Sequence, residues 1–288
     1  MSAAETLLRR IVDYAGLFPP AALPMEVAVR NYHKYLDGDE SFILGSFVVP
    51  AARFDAFSAA FEASCCDEQE APWTISIVCA GETAQDVAAI EEFQQGAVFI
   101  GSLEAKASDA RAARETLERL PAARSRYVEF PPEKAADILP VLSEYGARAK
   151  IRMGGVTTES VPSPETVARF LNACAREQVA WKATAGLHHA VRGIRELQPG
   201  GPRAPMHGFV NLFLAGAIAF FGASEAALLR TLKEEHPAAF RAEDELIRWH
   251  DNTLTTDQLE QVRSGFAISF GSCSFAEPID DAKAMGWL

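Results

Sequence analysis

The sequence predicts a (β/α)8 barrel, the TIM-barrel fold, in which residues 1–288 form a single domain. Eight short apolar segments alternate with helical segments, and 288 residues are enough for eight βα units. None of the apolar segments alternates cleanly between polar and apolar residues, as expected for parallel strands covered on both faces. A doubly wound open sheet is the alternative. Such a sheet usually begins with a glycine-rich turn, which residues 15–17 do not supply.

The first part of the chain supplies five predicted strands and six predicted helices. The strands are residues 12–17, 42–49, 73–79, 97–103 and 126–130, and the helices are residues 5–12, 25–35, 54–63, 83–93, 108–120 and 133–145. Proline and glycine mark several of their ends: Pro19 and Pro20 follow the first strand, Pro50 ends the second, and Gly146 closes the sixth helix.

Residues 147–192 contain two segments of similar build around a predicted helix. Each segment begins near a lysine, Lys150 or Lys182, and ends on a glycine turn. The helix spans residues 163–178, with a Ser-Pro-Glu start and apolar residues at helical spacing. The pattern predicts one strand–helix–strand unit of a parallel sheet, with the two lysines on the sixth and seventh strands.

The remaining chain is predicted to carry a helical insertion, residues 190–265, between the seventh and eighth strands. Residues 192–205 are rich in glycine and proline and predict an ordered loop or lid. Helices are predicted at residues 209–221, 225–233, 243–250 and 256–262, and the last strand at residues 266–270. The apolar run 208–222 is shorter than the roughly 20 residues of a membrane span, which predicts a buried helix.

Composition and charge limit the classes of function and partner. Lys and Arg number 27 against 39 Asp and Glu, a net charge of -12, which argues against binding to nucleic acid or to an anionic membrane. The 5 cysteines lack zinc-type spacing. The first 18 residues do not have the long apolar run of a signal peptide. We therefore expect a cytoplasmic protein, with a homo-oligomer as a possibility.

The lysine pair suggests amine chemistry at the barrel rim. Reaction sites of such barrels lie at the carboxyl ends of the strands, where both lysines are predicted to lie. An amine beside a second cation and an apolar wall loses its proton more easily and then attacks a carbonyl carbon. The alternative is that Lys150 and Lys182 are solvated or bind a phosphate, since most lysines are exposed.

Three motifs resemble the class I, Schiff-base aldolases of the deoxyribose-phosphate aldolase type. The family has a lysine on strand six in a KTSTG-like segment, where this chain has KIRMGG from Lys150. It has a second lysine on strand seven in a KASGG-like segment, where this chain has KATAG from Lys182. It closes on a GTSS-like phosphate loop, where this chain has GSCS from Gly271. The first half of the chain matches only in strand order.

The resemblance implies that Lys150 forms an imine with a carbonyl substrate, that Lys182 lowers the pKa of that amine by like-charge repulsion, and that no cofactor is needed. Arg152 and Met153 replace small hydroxyl residues of the family, and the pair His188 and His189 and the long insertion also depart from it. These departures imply another small anionic aldehyde, ketone or keto acid as the substrate and partner.

Carboxylates and small residues complete the predicted site. Asp13, Glu104 and Glu129 each end a predicted strand, and Asp13 or Glu129 is the predicted acid/base. Alternatively, each carboxylate pairs with a neighbouring cation such as Lys106, Lys150 or Arg152 in a polar layer. An anionic group of the substrate is expected to bind to the following residues: Arg152, Gly154, Gly155, Ser272 and Ser274.

The histidines suggest a second hypothesis. His188 or His207 is predicted to transfer protons in the lysine site, and Asn211, one helical turn after His207, is predicted to face the same site. Alternatively, His188, His189 and His207 converge with Glu104 or Glu129 on a metal ion. Satisfied loop histidines are the plain alternative to both.

The sequence thus predicts a cytoplasmic, cofactor-free lyase of the Schiff-base aldolase kind. A metal-dependent lyase, isomerase or hydrolase on the same barrel is the second hypothesis. A barrel that binds a ligand without catalysis is the third.

Overall fold

The computed structural model describes residues 1–64, 72–80, 98–122 and 124–288. Eight parallel strands form a closed barrel, so the predicted (β/α)8 fold is confirmed. The first seven barrel strands are β1 (Val12–Tyr14), β2 (Leu44–Pro50), β3 (Trp73–Val78), β4 (Val98–Lys106), β5 (Ser125–Glu129), β6 (Arg148–Arg152) and β7 (Trp181–Thr184). Five short strands outside the barrel follow: β8 (Gly193–Glu196), β9 (Arg203–Met206), β10 (Arg241–Ala242), β11 (Leu246–Trp249) and β12 (Asn252–Thr255). The last strand, β13 (Ala267–Ser272), closes the barrel between β7 and β1.

The described helices surround this barrel. They are α1 (Ala3–Leu8), α2 (Met25–Leu36), α3 (Phe54–Ser64), α4 (Ala110–Arg119), α5 (Ala135–Glu144), α6 (Pro164–Arg176), α7 (Phe209–Phe220), α8 (Glu225–Lys233), α9 (Thr256–Gly265) and α10 (Ala276–Ala284). The Ser-Pro start predicted for α6 is real, because the Ser163 side chain accepts a hydrogen bond from the Thr166 amide. The predicted helix 83–93 lies outside the described residues.

The insertion between β7 and β13 contains the helices α7, α8 and α9 and, in addition, two small antiparallel sheets. Residues 192–205, predicted as a loop or lid, largely form the antiparallel hairpin of β8 and β9. The predicted helix 243–250 is wrong, because β11 and β12 pair as a hairpin there. Its apolar residues follow a period of two: Ile247 and Trp249 are buried on either side of exposed Arg248. The pairing of β11 with β12, together with burial of this face, makes the segment a strand.

Helix α7 is the buried helix that the apolar run predicts. Every residue from 209 to 219 is buried. Phe213 packs against Trp181 of β7 and Phe270 of β13, with ring centroids 5.3 and 6.1 Å apart, so the helix lies directly against the barrel wall. Among the described residues, no helix has both the length and the apolar character to cross a membrane.

Gly45 in β2 leaves room for a carboxylate of the neighbouring strand. A Cβ atom at this position would collide with Asp13 Oδ1 and would lie 3.1 Å from the Val12 carbonyl oxygen. We expect Gly45→Ala to lower the free energy of unfolding by about 1–3 kcal/mol, because Asp13 cannot move without losing its partners. Denaturant melts of Gly45→Ala and of Gly265→Ala, where a Cβ atom meets nothing within 4 Å, test this. Equal stabilities of the two variants would contradict it.

Candidate active site

The two lysines lie side by side inside the barrel. Lys150 of β6 and Lys182 of β7 are paired in register, as the similarity of their two segments predicted. Side chains alternate between the two faces of a strand, so Ala149 and Ile151 face the outer helices while Lys150 faces the barrel axis. Lys150 is 5% exposed and Lys182 is 2% exposed. Lysines are seldom buried to this extent unless an opposite charge pairs with them.

Three carboxylates from three other strands provide those partners. Lys182 Nζ donates to Asp13 Oδ2 at 2.6 Å and to Glu104 Oε1 at 2.7 Å. Lys150 Nζ lies 2.7 Å from Glu104 Oε2 and 2.9 Å from Glu129 Oε2. Glu104 therefore bridges the two ammonium groups, one with each oxygen. We name this set, Asp13, Glu104, Glu129, Lys150 and Lys182, the lysine–carboxylate layer.

Neighbouring donors hold the carboxylates in place. The Ser76 hydroxyl donates to Glu104 Oε1 at 2.6 Å, and the Ser269 hydroxyl donates to Asp13 Oδ2 at 2.6 Å. At the rim, Arg152 Nε donates to Glu129 Oε1 at 2.8 Å, and Lys106 Nζ is 3.9 Å from the same oxygen. The alternative in which Glu129 pairs with Lys106, Lys150 and Arg152 in a polar layer thus describes its surroundings correctly.

The charges of the layer determine its protonation. Burial raises the pKa of Glu104, but Lys150 and Lys182 outweigh that effect and hold the pKa well below its usual range. Burial also raises the pKa of Glu129, and Lys150 and Arg152 reverse it to a lowered pKa. For Lys182, burial lowers the pKa, while Asp13 and Glu104 outweigh it and raise the pKa above its usual value. In the resting layer both glutamates are ionised and Lys182 is an ammonium ion.

This arrangement bears on the role expected of Lys182. The resemblance implies that Lys182 acts on the Lys150 amine by like-charge repulsion. The carboxylate of Glu104 lies between the two amines, so their repulsion is offset by an opposite charge.

A cavity of about 400 Å³ opens above the layer, at the carboxyl ends of the strands. Glu104, Glu129, Lys150 and Lys182 line it, together with Arg152 at the rim. Its walls come from several βα loops and from the β8–β9 hairpin: Phe18, Pro19, Val156, Leu197, Met206 and Cys273. A cavity of this size, mainly apolar with a few charged groups, is typical of a site for a small organic molecule.

Two glycines after β6 and β7 let the loops above the layer approach closely. Gly186 has φ +70°, and a Cβ atom on it would lie 2.8 Å from the Gly154 Cα. Gly154 therefore serves loop packing and does not line the cavity, whereas Gly155 does.

In the loop after β13, too, only some of the residues line the cavity. Gly271 and Cys273 line the cavity, and the predicted Ser272 and Ser274 do not.

Ser272 and Ser274 are instead engaged within their own loop. The Ser272 hydroxyl accepts a hydrogen bond from the Ser274 amide at 3.3 Å, and the Ser274 hydroxyl accepts one from the Glu277 amide at the start of α10. The anion-holding role predicted for these two serines thus finds no support in their position. Arg152 remains the charged member of that predicted set at the cavity.

The three histidines do not converge. His188 lines the cavity, and its Nδ1 lies 3.0 Å from Glu277 Oε2. His189 contacts Asp281, and His207 contacts the Pro162 carbonyl oxygen. In the described parts of the chain, no group of three or more His, Cys, Asp or Glu side chains is arranged to hold a metal ion. The alternative metal site, built from these histidines with Glu104 or Glu129, is therefore not formed by the residues named for it.

His207 and Asn211 lie away from the cavity, contrary to prediction. Asn211 is fully buried, donates to the Thr231 and Glu234 carbonyl oxygens at 2.7 and 2.8 Å, and accepts from the Arg192 amide. It ties α7 to the end of α8. The hydrogen-bond partners of His207 and Asn211 come from distant segments of the chain, which helical spacing does not reveal.

His207 offers a stability test. Nε2 donates to the Pro162 carbonyl oxygen, so the neutral ring leaves Nδ1 buried without a partner. Burial lowers the pKa of His207 from its usual value of 6.5 to about 4. Between these two pH values the unfolded chain therefore binds a proton that the folded chain does not bind. We expect wild type to lose about 2 kcal/mol more stability than His207→Gln between about pH 7 and 5, measured by urea unfolding. Parallel curves for the two proteins would contradict this.

From the sequence, Asp13 or Glu129 was preferred to Glu104 as the acid/base, and Tyr127 was not identified as part of the site. Glu104 ends a predicted strand, which was the available signal, but only the register shows that it contacts both lysines. Lys182 Nζ lies 5.2 Å from the centroid of the Tyr127 ring, a cation–π contact on the amino-terminal side.

A search of protein-family models found none that matches this chain, and a search of curated protein sequences found no match either.

Proposed function

We propose that this chain is a lyase of the Schiff-base aldolase type, in which the Lys150 amine forms an imine with a small anionic aldehyde, ketone or keto acid. The observation that carries the proposal is the position of Lys150. Its side chain is 7% exposed, at the floor of the cavity at the carboxyl ends of the strands, in contact with two carboxylates. A buried amine with adjacent proton acceptors, open on one side to a substrate-sized cavity, suits attack on a carbonyl carbon.

Lys182 is the less suitable nucleophile. Its amine donates to Asp13 and Glu104 and faces the Tyr127 ring, and Asp13 and Glu104 raise its pKa against the effect of burial. Such an amine stays protonated. Its role in the proposal is to keep Glu104 ionised and positioned between the lysines, and to stabilise negative charge that develops on the substrate.

The proposed reaction starts with a proton transfer. Lys150 gives a proton to Glu129 or Glu104, and the neutral Nζ attacks the carbonyl carbon to form a carbinolamine. Loss of water leaves a protonated imine, which accepts the electron pair of the adjacent carbon–carbon bond when that bond breaks. A carboxylate of the layer takes the proton from the β-hydroxyl group during cleavage, and the fragment that carried this hydroxyl leaves as a carbonyl compound. Protonation of the resulting enamine and addition of water then return the free amine.

Arg152 supports an anionic substrate in this scheme. Its side chain is 44% exposed at the cavity and already holds a carboxylate, that of Glu129, through Nε. Lys106 lies beside the same oxygen and is 70% exposed. A substrate carboxylate or phosphate that engages Arg152 would draw positive charge away from Glu129. The pKa of Glu129 would then rise towards its usual value, which makes it a better acceptor for the Lys150 proton.

Reductive trapping tests the proposal. The protein is incubated with acetaldehyde, dihydroxyacetone phosphate or pyruvate and then with borohydride, and the product is analysed by intact mass and peptide mapping. We expect a stable adduct on Lys150 with at least one of them. An adduct on Lys182 would exchange the roles of the two lysines, and no adduct with any carbonyl compound would contradict imine formation.

A second candidate is proton transfer next to a carbonyl group without an imine, as in an isomerase. The pairing of the ammonium groups with carboxylates favours it, because such pairs exchange protons and stabilise an enolate without covalent chemistry. Turnover that survives in Lys150→Arg, with no trapped adduct in wild type, would identify this candidate.

A further inference from the structure

A second cavity, of about 380 Å³, opens at the amino-terminal end of the barrel. Residues at the beginnings of strands line it, among them Thr74 of β3, Ser125 of β5 and Arg148 of β6. Lys182 lines both this cavity and the one described above. The lysine–carboxylate layer therefore separates two chambers, and the proposed reaction uses only the upper one.

The lower cavity is strongly cationic. Four arginines line it, Arg9, Arg10, Arg148 and Arg263, in a chain whose net charge is -12. Its lining also contains Asp13, which is already paired with Lys182, and Glu260. A concentration of positive charge inside a concave site raises the local concentration of anions.

Two of these arginines contact only neutral groups among their described partners. Arg148 Nη1 donates to the Tyr127 hydroxyl at 2.9 Å, and Arg10 Nη2 donates to the Thr74 hydroxyl at 3.3 Å. In the part of the chain that the structure describes, neither guanidinium lies within ion-pair distance of a carboxylate. Each retains donors of the planar fork that binds carboxylate or phosphate oxygens.

The third arginine, Arg263, also has a donor available for a ligand. Arg263 donates to the main-chain carbonyl oxygens of Arg9, Ala267 and Ile268, and its Nε is buried without a hydrogen-bond partner. Burial lowers the pKa of Arg263 to about 9, and Asp13 and Tyr127 only partly offset this. The Arg263 side chain is half-buried and its hydrogen bonds go to neutral carbonyl oxygens, so an anion in the cavity would stabilise its positive charge.

We infer that the amino-terminal cavity binds a small oxyanion, a carboxylate or a phosphate ester, between Arg10, Arg148 and Arg263. The hydroxyl groups of Ser125 and Tyr127 in the lining suit a ligand that also carries hydroxyl groups. Lys182 and Asp13 separate this anion from the upper cavity, so its occupancy is coupled to the charge of the layer. The binding itself does not depend on the reaction proposed for Lys150.

Isothermal titration calorimetry of the full chain tests the site, with inorganic phosphate and with malonate in separate titrations at constant ionic strength. The two anions distinguish a phosphate ligand from a carboxylate ligand. The variants are Arg10→Gln and Arg148→Gln in the lower cavity, Arg152→Gln in the upper cavity, and Arg230→Gln on the exposed face of α8 as a matched surface control. Thermal melts of each variant establish that it is folded. If Arg148→Gln is unstable, the Arg10→Gln variant provides the test, because Arg10 is exposed.

We expect one of the two anions to bind, with about tenfold weaker binding in Arg10→Gln and in Arg148→Gln and little change in Arg230→Gln. Weakening in Arg152→Gln alone would place the anion in the upper cavity and overturn the inference. Equally weakened anion binding in Arg230→Gln would show that the effect comes from the net charge of the protein, and this would overturn the inference. No measurable binding of either anion up to about 10 mM would also overturn it.

Discussion

We expect the Lys150→Arg variant to lose both turnover and reductive trapping while the barrel stays folded. Arginine keeps the positive charge that Glu104 and Glu129 contact, so the layer keeps its charge balance. Its guanidinium does not lose a proton in proteins and does not form an imine. The expected loss in kcat is on the order of 10³-fold or more, because the variant lacks the nucleophile itself.

The control for this experiment is Lys134→Arg, the same substitution at an exposed lysine just before α5. Lys134→Arg should keep wild-type turnover and wild-type trapping. Melting temperatures of all three proteins separate loss of chemistry from loss of fold, since the larger side chain at position 150 fills part of the cavity above it. Wild-type turnover by Lys150→Arg would show that the imine mechanism is wrong.

Glu104→Gln is expected to produce the largest loss of stability. Glu104 is 2% exposed and contacts both ammonium groups. The neutral amide leaves the two buried ammonium groups of Lys150 and Lys182 without the carboxylate that lies between them. Removal of one partner from a buried ion pair typically costs about 3–5 kcal/mol. Urea unfolding at neutral pH measures the difference, and a change no larger than that of the surface control Glu115→Gln would contradict it.

The pH dependence of that difference provides an internal check. The pKa of Glu104 is lower in the folded protein than its usual 4.5, so the folded state binds fewer protons here than the unfolded state. The stabilisation is complete above 4.5 and is lost as the pH falls from there through the lower folded value. The difference in the free energy of unfolding between wild type and Glu104→Gln should therefore be constant from about pH 8 to 6 and should become smaller below about pH 4.5. A gap that widens in acid would exclude Glu104 as the bridging anion.

The fold was predictable because its signals are local. Eight apolar segments alternate with helical segments, and several of them are bounded by proline, glycine or a cap such as Ser163, all of which are features of neighbouring residues. The failure at residues 243–250 has the opposite cause. The apolar residues there fit either period over so short a segment, and the pairing of β11 with β12 decides for strand.

The sequence by itself determined the barrel, the order of its strands and the side-by-side position of Lys150 and Lys182, because two similar segments flanking one helix place equivalent residues on neighbouring parallel strands. Only the tertiary structure decided that Glu104 bridges the lysines, that Asn211 and His207 lie away from the cavity, and that a cationic chamber lies below the layer. Those contacts join residues as distant as Asp13 and Lys182. Closure of the barrel brings them together, and no local pattern in the sequence records the register in which it closes.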